Sequence, residues 1–477
     1  MEVAQKKKIN FTEGTVFFKL LLFILPIIAT NLLQMLYNAA DMMVVSLSHE
    51  QNAVGAIGVT GSFINLVLNV FIGFSVGTNV VVAREIGARD KERAQNAVHT
   101  SLLMAVVFGF IGMGIGLAVA RPVLRLMGTD GNLLSLAVKY TQIYFIGVPF
   151  LALTNYLIAI FRAKGDSRTP LVVLSIAGLF NVGMNLFFVL GAGLSVEGVA
   201  LATTLANVFS FVVLLIKLHK DQDYTTFSFK RLRLERKAFR DIVVNGVPAG
   251  IQGALFSLSN ILIQSSIVKV NNSLVPSGSE YAPVVNGSAA AGNIEGFVYT
   301  AMNAVYQGAI TVTSQNIGAN KPHRVKRVMY SCLLAVFSVG VFMAGLSYLL
   351  RYPLLSLYGV KESAAGSMDA LALEAALVRF NIIVLSYPLC GLMDVCSGVL
   401  RGMGKAIVST VISLVGACLL RLVWLWTVFP ARPTLEIIFL SYPITWIITV
   451  VCAFTMIQIL LRRHLKREAL KQQYYNR

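Results

Sequence analysis

The chain has 477 residues, of which 56% are hydrophobic and only 13% are charged. Soluble domains carry about 25% charged residues, so this composition excludes a soluble enzyme, a disordered protein and a disulfide-rich scaffold. The 40 Lys and Arg residues outnumber the 22 Asp and Glu residues and give a formal net charge of +18. Such an excess indicates either nucleic-acid binding or the cytoplasmic charge bias of a membrane protein, and its distribution decides between them.

Long apolar segments predict twelve membrane-spanning helices. A helix crosses the ~30 Å hydrocarbon core with roughly 20 apolar residues. Ten runs without Asp, Glu, Lys or Arg have this length: 20–40, 51–83, 100–120, 140–161, 169–196, 198–216, 242–268, 296–320, 328–350 and 437–461. Two further apolar segments, 376–400 and 406–429, contain isolated charges and complete the set.

The basic residues predict the orientation of these spans. If the N-terminus is cytoplasmic, 30 of the 40 basic residues fall on the cytoplasmic side, spread over its loops and both termini. This distribution follows the positive-inside rule and does not form the single patch that nucleic-acid binding requires. We therefore predict a multi-pass protein of the cytoplasmic membrane with both termini in the cytoplasm and no nucleic-acid partner.

The sequence contains two copies of one six-span unit. "REIGARDKERAQ" (84–95) follows span 2, and the similar "QNIGANKPHRVK" (315–326) follows span 8. Arg162 and Gly165 after span 4 align with Arg401 and Gly404 after span 10. An even number of spans per copy predicts parallel halves related by a pseudo-two-fold axis along the membrane normal. The predicted fold is an all-α polytopic protein with two six-helix lobes. Its segments are a cytoplasmic N-terminus (1–16), an N-terminal lobe (17–218), a cytoplasmic linker (219–238), a C-terminal lobe (239–461) and a cytoplasmic basic tail (462–477).

Prolines inside the predicted spans indicate kinked helices, because proline removes a backbone hydrogen bond. The positions are Pro26, Pro149, Pro248, Pro388 and Pro443. The first four form two pairs at matching positions of the halves. Whether the kinks are static or belong to a moving part stays open at this point.

These features together resemble the multidrug and toxic compound extrusion (MATE) family. The matching motifs are "NLLQMLYNAADMMVV" in span 1, "REIGARD" and "SQNIGAN" after spans 2 and 8, "FRAKGDSRTP" after span 4 and "LRGMGK" after span 10. The resemblance covers roughly residues 15–461. It implies secondary active efflux, in which a gradient of H⁺ or Na⁺ drives the export of organic, often cationic and amphipathic compounds. It also implies two lobes in a V that open alternately to the two sides.

Asp41 is the foremost candidate for ion coupling. It lies in the outer half of span 1 and is followed by further apolar residues, so the span does not end before it. An ionisable residue inside a span is a functional candidate. Polar residues of three other spans suit a network around it, or else simple hydrogen bonding between helices: Tyr140, Asn155, Asn181, Asn185, Thr203 and Thr204.

The resemblance assigns a coupling role to Asp41 and supports Tyr140, Asn181 and Thr203. It also reveals a departure, since some relatives carry an aspartate where this chain has Asn185. An amide oxygen can coordinate a cation but the amide does not titrate. This departure weakens the case for Na⁺ and favours Asp41 as a proton carrier. No cofactor is implied, and no metal site beyond a possible Na⁺ near Asp41.

Three more ionisable residues interrupt apolar spans in the second half. Glu295 suits a coupling or substrate-binding role, or a place at a water-filled mouth after the loop 271–285. Asp394 and Arg421 are predicted at depths of ~10 Å and ~22 Å from the cytoplasmic side, counted at 1.5 Å per residue, so we do not pair them. Asp394 then suits contact with inner loops, and Arg421 suits an extended side chain that reaches the outer interface.

Five residues with large side chains are candidates for lining a substrate cavity, although such residues also serve packing or face lipid: Met35, Tyr37, Phe63, Phe256 and Tyr299. The predicted partners are small organic substrates and the lipid bilayer, and the protein is predicted to be a monomer.

Two other functions remain to be weighed. A flippase for lipid-linked saccharides would need a basic central cavity, and Arg421 is the only basic residue that the sequence places deep in a span. An intramembrane enzyme would need a catalytic set within the bilayer, and the five histidines lie in loops or near span ends.

Overall fold

The computed structural model describes residues 9–475 except 49, 51, 128, 222, 276–280, 365 and 366. These residues form helices and connecting turns, without β-strands. The α-helices are α1 Val16–Ser46, α2 Ala53–Gly87, α3 Lys91–Leu126, α4 Gly131–Ile146, α5 Val148–Ala163, α6 Arg168–Leu186, α7 Val196–Lys220, α8 Arg236–Leu274, α9 Pro283–Gly318, α10 Pro322–Leu349, α11 Arg351–Leu357, α12 Met368–Arg379, α13 Leu385–Gly402, α14 Ala406–Ser413, α15 Leu420–Thr427 and α16 Leu435–Tyr475. Three π-helical segments, Phe187–Gly191, Phe380–Val384 and Leu414–Leu419, continue α6, α12 and α14.

Within the described ranges, ten helices are long and apolar enough to cross a membrane, and α4 with α5 adds an eleventh as a pair bent by 49°. The bend follows Gly147, where Pro149 in the first turn of α5 cannot donate a backbone hydrogen bond. α9 has 36 residues, more than enough for a ~30 Å core, but it is too polar to meet the same criterion. With α9, each half of the sequence supplies six passes. The all-α polytopic fold and its multi-pass membrane character are confirmed.

The chain divides into two compact units. Unit 1 contains Leu22–Ala254, Ser314–Asn320 and the described residues up to Gly14. Unit 2 contains Thr15–Leu21, Leu255–Thr313 and the described residues from Lys321 onward. Helices α1, α8 and α9 therefore each have residues in both units. The lobe and linker boundaries given above stay a prediction.

Both units contain the same contact between a glycine and a proline. In unit 1 a Cβ at Gly109 on α3 would lie 2.7 Å from Cα of Pro149. In unit 2 a Cβ at Gly340 on α10 would lie 3.1 Å from Cα of Pro388. Each glycine lets a helix approach the backbone at the proline of a neighbouring helix. The repeated motifs of the sequence thus correspond to repeated packing.

The turns after α2 and α9 are also equivalent. Arg89 and Asn320 both have left-handed backbones, with φ of 58° and 55°. At the ends of these helices, a Cβ at Gly87 would lie 2.1 Å from the carbonyl oxygen of Gln315. A Cβ at Gly318 would lie 1.8 Å from that of Arg84. Arg84 and Gln315 occupy matching motif positions, so the contact is reciprocal, as a pseudo-two-fold relation requires.

Candidate functional site

The carboxylate of Asp41 meets two asparagine side chains inside unit 1. Asp41 lies on α1, and Asn181 and Asn185 lie one turn apart on α6, so their side chains share a face. The Asn185 amide donates from Nδ2 to Asp41 Oδ1 at 2.5 Å. Asn181 and Asn185 are buried, and Asp41 is partly buried. The predicted association of these three residues is therefore present in the structure.

The amide of Asn181 fits the site in two orientations. In one, its Oδ1 accepts from Asn185 Nδ2 at 3.3 Å and its Nδ2 donates to Thr203 Oγ1 on α7 at 3.4 Å. In the other, its Nδ2 donates to Asp41 Oδ1 at 2.8 Å and its oxygen accepts from the Thr203 backbone N–H at 3.3 Å. The first orientation places two oxygens at hydrogen-bonding distance, which requires a proton on Asp41. The second suits an ionised Asp41.

Two tyrosines of α4 complete the surroundings of Asp41. Tyr140 and Tyr144 lie one turn apart with ring centroids 6.2 Å from each other. Both hydroxyl groups lie near the carboxyl group of Asp41. Asn155 behaves differently, since its Nδ2 donates to the Leu151 carbonyl oxygen one turn earlier in α5 at 3.0 Å. Thr204 donates to the Ile143 carbonyl oxygen at 3.4 Å.

As they are arranged, the side chains around Asp41 favour binding of a proton to its carboxylate. The same side chains also carry oxygen atoms that could coordinate a hard cation. The amide hydrogens of Asn185 point at the carboxylate and occupy the side on which a cation would bind. Asn185 Oδ1 is buried with no hydrogen-bond partner among the described residues. Na⁺ would need this oxygen turned toward Asp41, because hard cations take oxygen ligands. In the described part of the chain, no three His, Cys, Asp or Glu residues are grouped as metal ligands.

Glu295 forms a buried ion pair in unit 2. The Arg379 guanidinium donates from Nε to Glu295 Oε1 at 2.7 Å and from its Nη2 to Oε2 at 2.9 Å. Its Nη1 donates to Ser288 Oγ at 3.0 Å. Gly292 leaves room for the guanidinium, since a Cβ there would lie 3.1 Å from it. Glu295 is only 3% exposed and is enclosed by its partner, so of the two alternatives for this residue the place at a water-filled mouth is wrong. Its coupling or substrate-binding role stays a prediction.

A second polar set in unit 2 follows α9. Tyr299, Asn303, Gln307 and Thr311 occupy every fourth position, so neighbours in this series lie side by side. Gln307 donates to Asn303 Oδ1 at 2.7 Å, and Asn303 donates to the Tyr299 hydroxyl at 3.4 Å. The Tyr299 hydroxyl also lies near the carboxylate of Asp394 on α13. This series explains why α9 is less apolar than the other long helices.

The structure corrects two interpretations of the arginines. Arg421 is 3% exposed, lies 3.9 Å from the ring centroid of Tyr442 and donates to Thr445 at 3.4 Å. Its side chain folds onto these α16 residues and does not extend to an interface. Arg421 is also not the only arginine inside a span, because Arg379 lies within the span Met368–Gly402 and pairs with Glu295. Arg401, at the end of that span, is buried with its guanidinium on the Tyr306 hydroxyl at 2.7 Å. No ion pair among the described residues joins Arg421 to Asp394.

The five candidate cavity residues belong to different environments. Phe63 packs in a buried cluster, with its ring centroid 5.3 Å from that of Phe145. Tyr37 donates to the Ser175 carbonyl oxygen at 3.1 Å, and its ring fills the space beside Gly178. Met35 and Phe256 are partly buried, and Tyr299 is exposed. Their role as a cavity lining stays a prediction.

Sequence reasoning missed Tyr144, Arg379 and Tyr306. A signal existed for the first, since Tyr144 follows Tyr140 by one helical turn. For Arg379 the signal was a positive charge in one apolar span matching the negative charge of Glu295 in another. Tyr306 carried no comparable signal, because its contact with Arg401 depends on the packing of α9 against α13.

Comparison with known proteins gives consistent results. The MatE family model matches residues 26–187 and 257–427, which is more than half of the chain. The chain is 28% identical to the probable multidrug resistance protein YoeA of Bacillus subtilis over 86% of both proteins. It is 22% identical to the multidrug export protein MepA of Staphylococcus aureus over 70% of this chain and 74% of that protein.

Solved structures share the fold. The outward-facing conformation of a multidrug resistance MATE family transporter superposes with a TM-score of 0.85 at 19% identity, covering 97% of this chain and 99% of the other. A transporter from Pyrococcus furiosus, described as having a binding pocket of reverse polarity, gives 0.86 at 19% identity over 96% and 99%. The family match, together with a shared fold over nearly the whole length, shows that this chain belongs to the MATE family of transporters.

Proposed function

We propose that this protein is a secondary active multidrug exporter. It exchanges organic, often cationic and amphipathic compounds for a coupling ion across the cytoplasmic membrane, with both termini in the cytoplasm. The names of the relatives YoeA and MepA support multidrug resistance and export as the function. The two lobes open alternately to the two sides. The protein acts as a monomer without a cofactor, and it is not an enzyme.

The contact between Asp41 and Asn185 carries the proposal for the coupling ion. Asp41 is faced by neutral amides, and no ion pair among the described residues neutralises it. A membrane-embedded carboxylate without a cationic partner gains most from binding a proton or a cation. The amide hydrogens already occupy the position of a metal ion, so H⁺ is the favoured coupling ion and Na⁺ is the alternative.

Transport then follows from competition for one carboxylate. Ionised Asp41 attracts a cationic substrate, and proton binding from outside removes that attraction and releases the substrate. The amide of Asn181 can donate to ionised Asp41 or accept from protonated Asp41, so it pairs with either form of the carboxyl group. Glu295 is already neutralised by Arg379, and for this reason we assign the coupling role to Asp41.

Efflux from vesicles tests the proposal. Purified protein is reconstituted into vesicles that are loaded with ethidium or norfloxacin. The vesicles then receive an inward gradient of H⁺, an inward gradient of Na⁺, or no gradient. We expect efflux with the H⁺ gradient and its loss in Asp41→Asn. The control is Asp130→Asn, which makes the same chemical change at the exposed start of α4. Failure of every gradient to drive any of a broad substrate panel would refute the function.

The same vesicles address the flippase alternative. The buried arginines of unit 2 are its main support, but Arg379 faces Glu295 and Arg421 faces Tyr442. A flippase would translocate a fluorescent lipid-linked saccharide without a gradient-driven loss of ethidium. The exporter predicts the opposite pair of results.

A further inference from the structure

The connection between α7 and α8 carries an unusual combination of charge and exposed apolar side chains. Residues 229–240 read "FKRLRLERKAFR" and contain six basic residues and a single acid. Three apolar side chains of this segment are well exposed: Phe229 at 67%, Leu232 at 41% and Leu234 at 56%. We define the linker surface as these three residues together with Lys230, Arg236 and Lys237.

The linker surface connects two membrane-spanning helices on one side of the bilayer. Helix α7 ends at Lys220 and α8 begins at Arg236, and both are long and apolar enough to cross the membrane. The residues between them must therefore leave the bilayer and return to it on the same side. Basic and apolar side chains that alternate at such a place suit the boundary between lipid headgroups and acyl chains.

Contacts with unit 1 hold the linker surface in a fixed conformation. Phe227 is buried, and its ring centroid lies 4.8 Å from that of Phe229. The Ser228 backbone N–H donates to Nε2 of the buried His99 at 3.0 Å. The Glu235 backbone N–H donates to Thr100 Oγ1 at 3.0 Å. The exposure of Phe229 is thus part of an ordered arrangement.

The basic residues of the linker surface are free to meet an external anion. Within the described residues, Lys230, Arg236 and Lys237 form no ion pair. The acid of the segment, Glu235, is engaged at the start of α8, where its Oε2 accepts from the Ala238 N–H at 2.8 Å. Nearby Asp221 is paired with the buried Lys164. The positive charge of the linker surface is therefore left without an internal partner.

We infer that the linker surface binds anionic phospholipids of the membrane that the protein spans. Lys230, Arg236 and Lys237 bind the phosphate headgroups, while Phe229, Leu232 and Leu234 enter the adjoining acyl region. The linker is then an interfacial anchor, and anionic lipid gathers around this part of unit 1. This inference is independent of the transported substrate and of the coupling ion.

Lipid quenching of a reporter tryptophan tests the inference on the full-length protein. Phe229→Trp is placed in nanodiscs of equal parts phosphatidylglycerol and phosphatidylcholine, with bromine on the chains of one lipid or the other. Subtraction of the signal of the unaltered chain removes its three native Trp residues. We expect brominated phosphatidylglycerol to quench roughly twofold more than brominated phosphatidylcholine, because juxtamembrane basic residues gather anionic lipid.

The matched variants carry three substitutions each. The linker variant combines Lys230→Gln, Arg236→Gln and Lys237→Gln. In this variant the ratio of quenching by brominated phosphatidylglycerol to quenching by brominated phosphatidylcholine should fall to about 1. Two of these changes remove positive charge from the first turn of α8, where it does not favour the helix. The control variant combines Lys326→Gln, Arg327→Gln and Lys405→Gln and removes three exposed charges outside the linker surface. It should keep the excess quenching by brominated phosphatidylglycerol.

Four results would overturn the inference. Equal quenching by both lipids in the parent would remove the preference for anionic lipid, and no quenching by either would remove the membrane contact. An excess retained in the linker variant would remove the role of its basic residues. Loss of the excess on adding inorganic phosphate, compared with chloride at the same ionic strength, would assign the linker surface to a free anion.

Discussion

In unit 1 the carboxylate of Asp41 faces the amides of Asn181 and Asn185, whereas in unit 2 the carboxylate of Glu295 faces the guanidinium of Arg379. Amides can turn to donate or accept, so the first site accommodates a carboxylate in either protonation state. A guanidinium only donates and keeps its charge, so the second site requires an ionised carboxylate. On this difference we propose ion exchange for Asp41 and helix clamping for Glu295.

The largest expected effect comes from breaking the clamp. Glu295→Gln leaves the buried Arg379 unpaired and should destabilise the fold by about 3–5 kcal/mol. Arg379→Gln should be milder, because Glu295 can take up a proton whereas arginine cannot lose one. The midpoint of thermal unfolding in detergent measures both. If Glu295→Gln lowered the unfolding midpoint less than Arg379→Gln did, the proposed clamping role of the Glu295–Arg379 pair would be contradicted.

Substitutions at the two glycine–proline contacts should destabilise the fold less than the loss of the Glu295–Arg379 pair. The two contacts should also differ from each other. Gly109→Ala places a Cβ 2.7 Å from the Pro149 backbone, whereas Gly340→Ala meets the flexible end of Met302 at 2.9 Å and Pro388 at 3.1 Å. Overpacking of this kind costs about 1–3 kcal/mol. We expect Gly109→Ala to lower the unfolding midpoint more than Gly340→Ala. The open Gly345→Ala serves as the control, since a Cβ there meets nothing.

Changing one amide should alter ion preference. Asn185→Asp adds a second carboxylate next to Asp41 and supplies oxygen ligands for Na⁺. We expect Na⁺ to stimulate ethidium efflux at roughly tenfold lower concentration than in the unaltered protein, a change of about 1.4 kcal/mol in ion binding. Asn185→Leu has a similar size without ligands and should show no Na⁺ stimulation. Identical Na⁺ responses in both variants would contradict the proposed geometry.

The smallest effect is expected at an exposed ion pair. Lys139 and Glu197 connect α4 and α7 at 3.3 Å, with side-chain exposures of 55% and 26%. Exposed pairs contribute about 0–1 kcal/mol. Lys139→Gln should therefore leave the unfolding midpoint nearly unchanged, in contrast to Glu295→Gln. A loss comparable to that of Glu295→Gln would show that burial does not distinguish the two pairs.

The sequence was sufficient for the helices and for part of the site. Apolar runs indicate spans because the bilayer requires long apolar helices. Asn181 and Asn185 could be placed together because they lie one turn apart on a single helix. The bend before Pro149 has a local cause, so its position could be predicted, but its angle could not.

Contacts between distant helices were beyond the sequence. Glu295 and Arg379 are 84 positions apart, and Arg401 and Tyr306 are 95 apart. Their pairing depends on how α9 packs against α12 and α13. Depth alone also misplaced Arg421, because an arginine in a span can fold onto a tyrosine of its own bundle instead of extending to water. Side-chain direction requires the tertiary structure.

Proton release on substrate binding tests the central claim most directly. Detergent-purified protein in a weakly buffered solution is mixed with ethidium, and the pH change is recorded with a dye. If a cationic substrate and a proton compete for Asp41, binding releases up to about one proton per protein near the pH at which Asp41 titrates. Asp41→Asn should release none, while Asp130→Asn should match the unaltered protein. Equal release from Asp41→Asn and the unaltered protein would contradict the account.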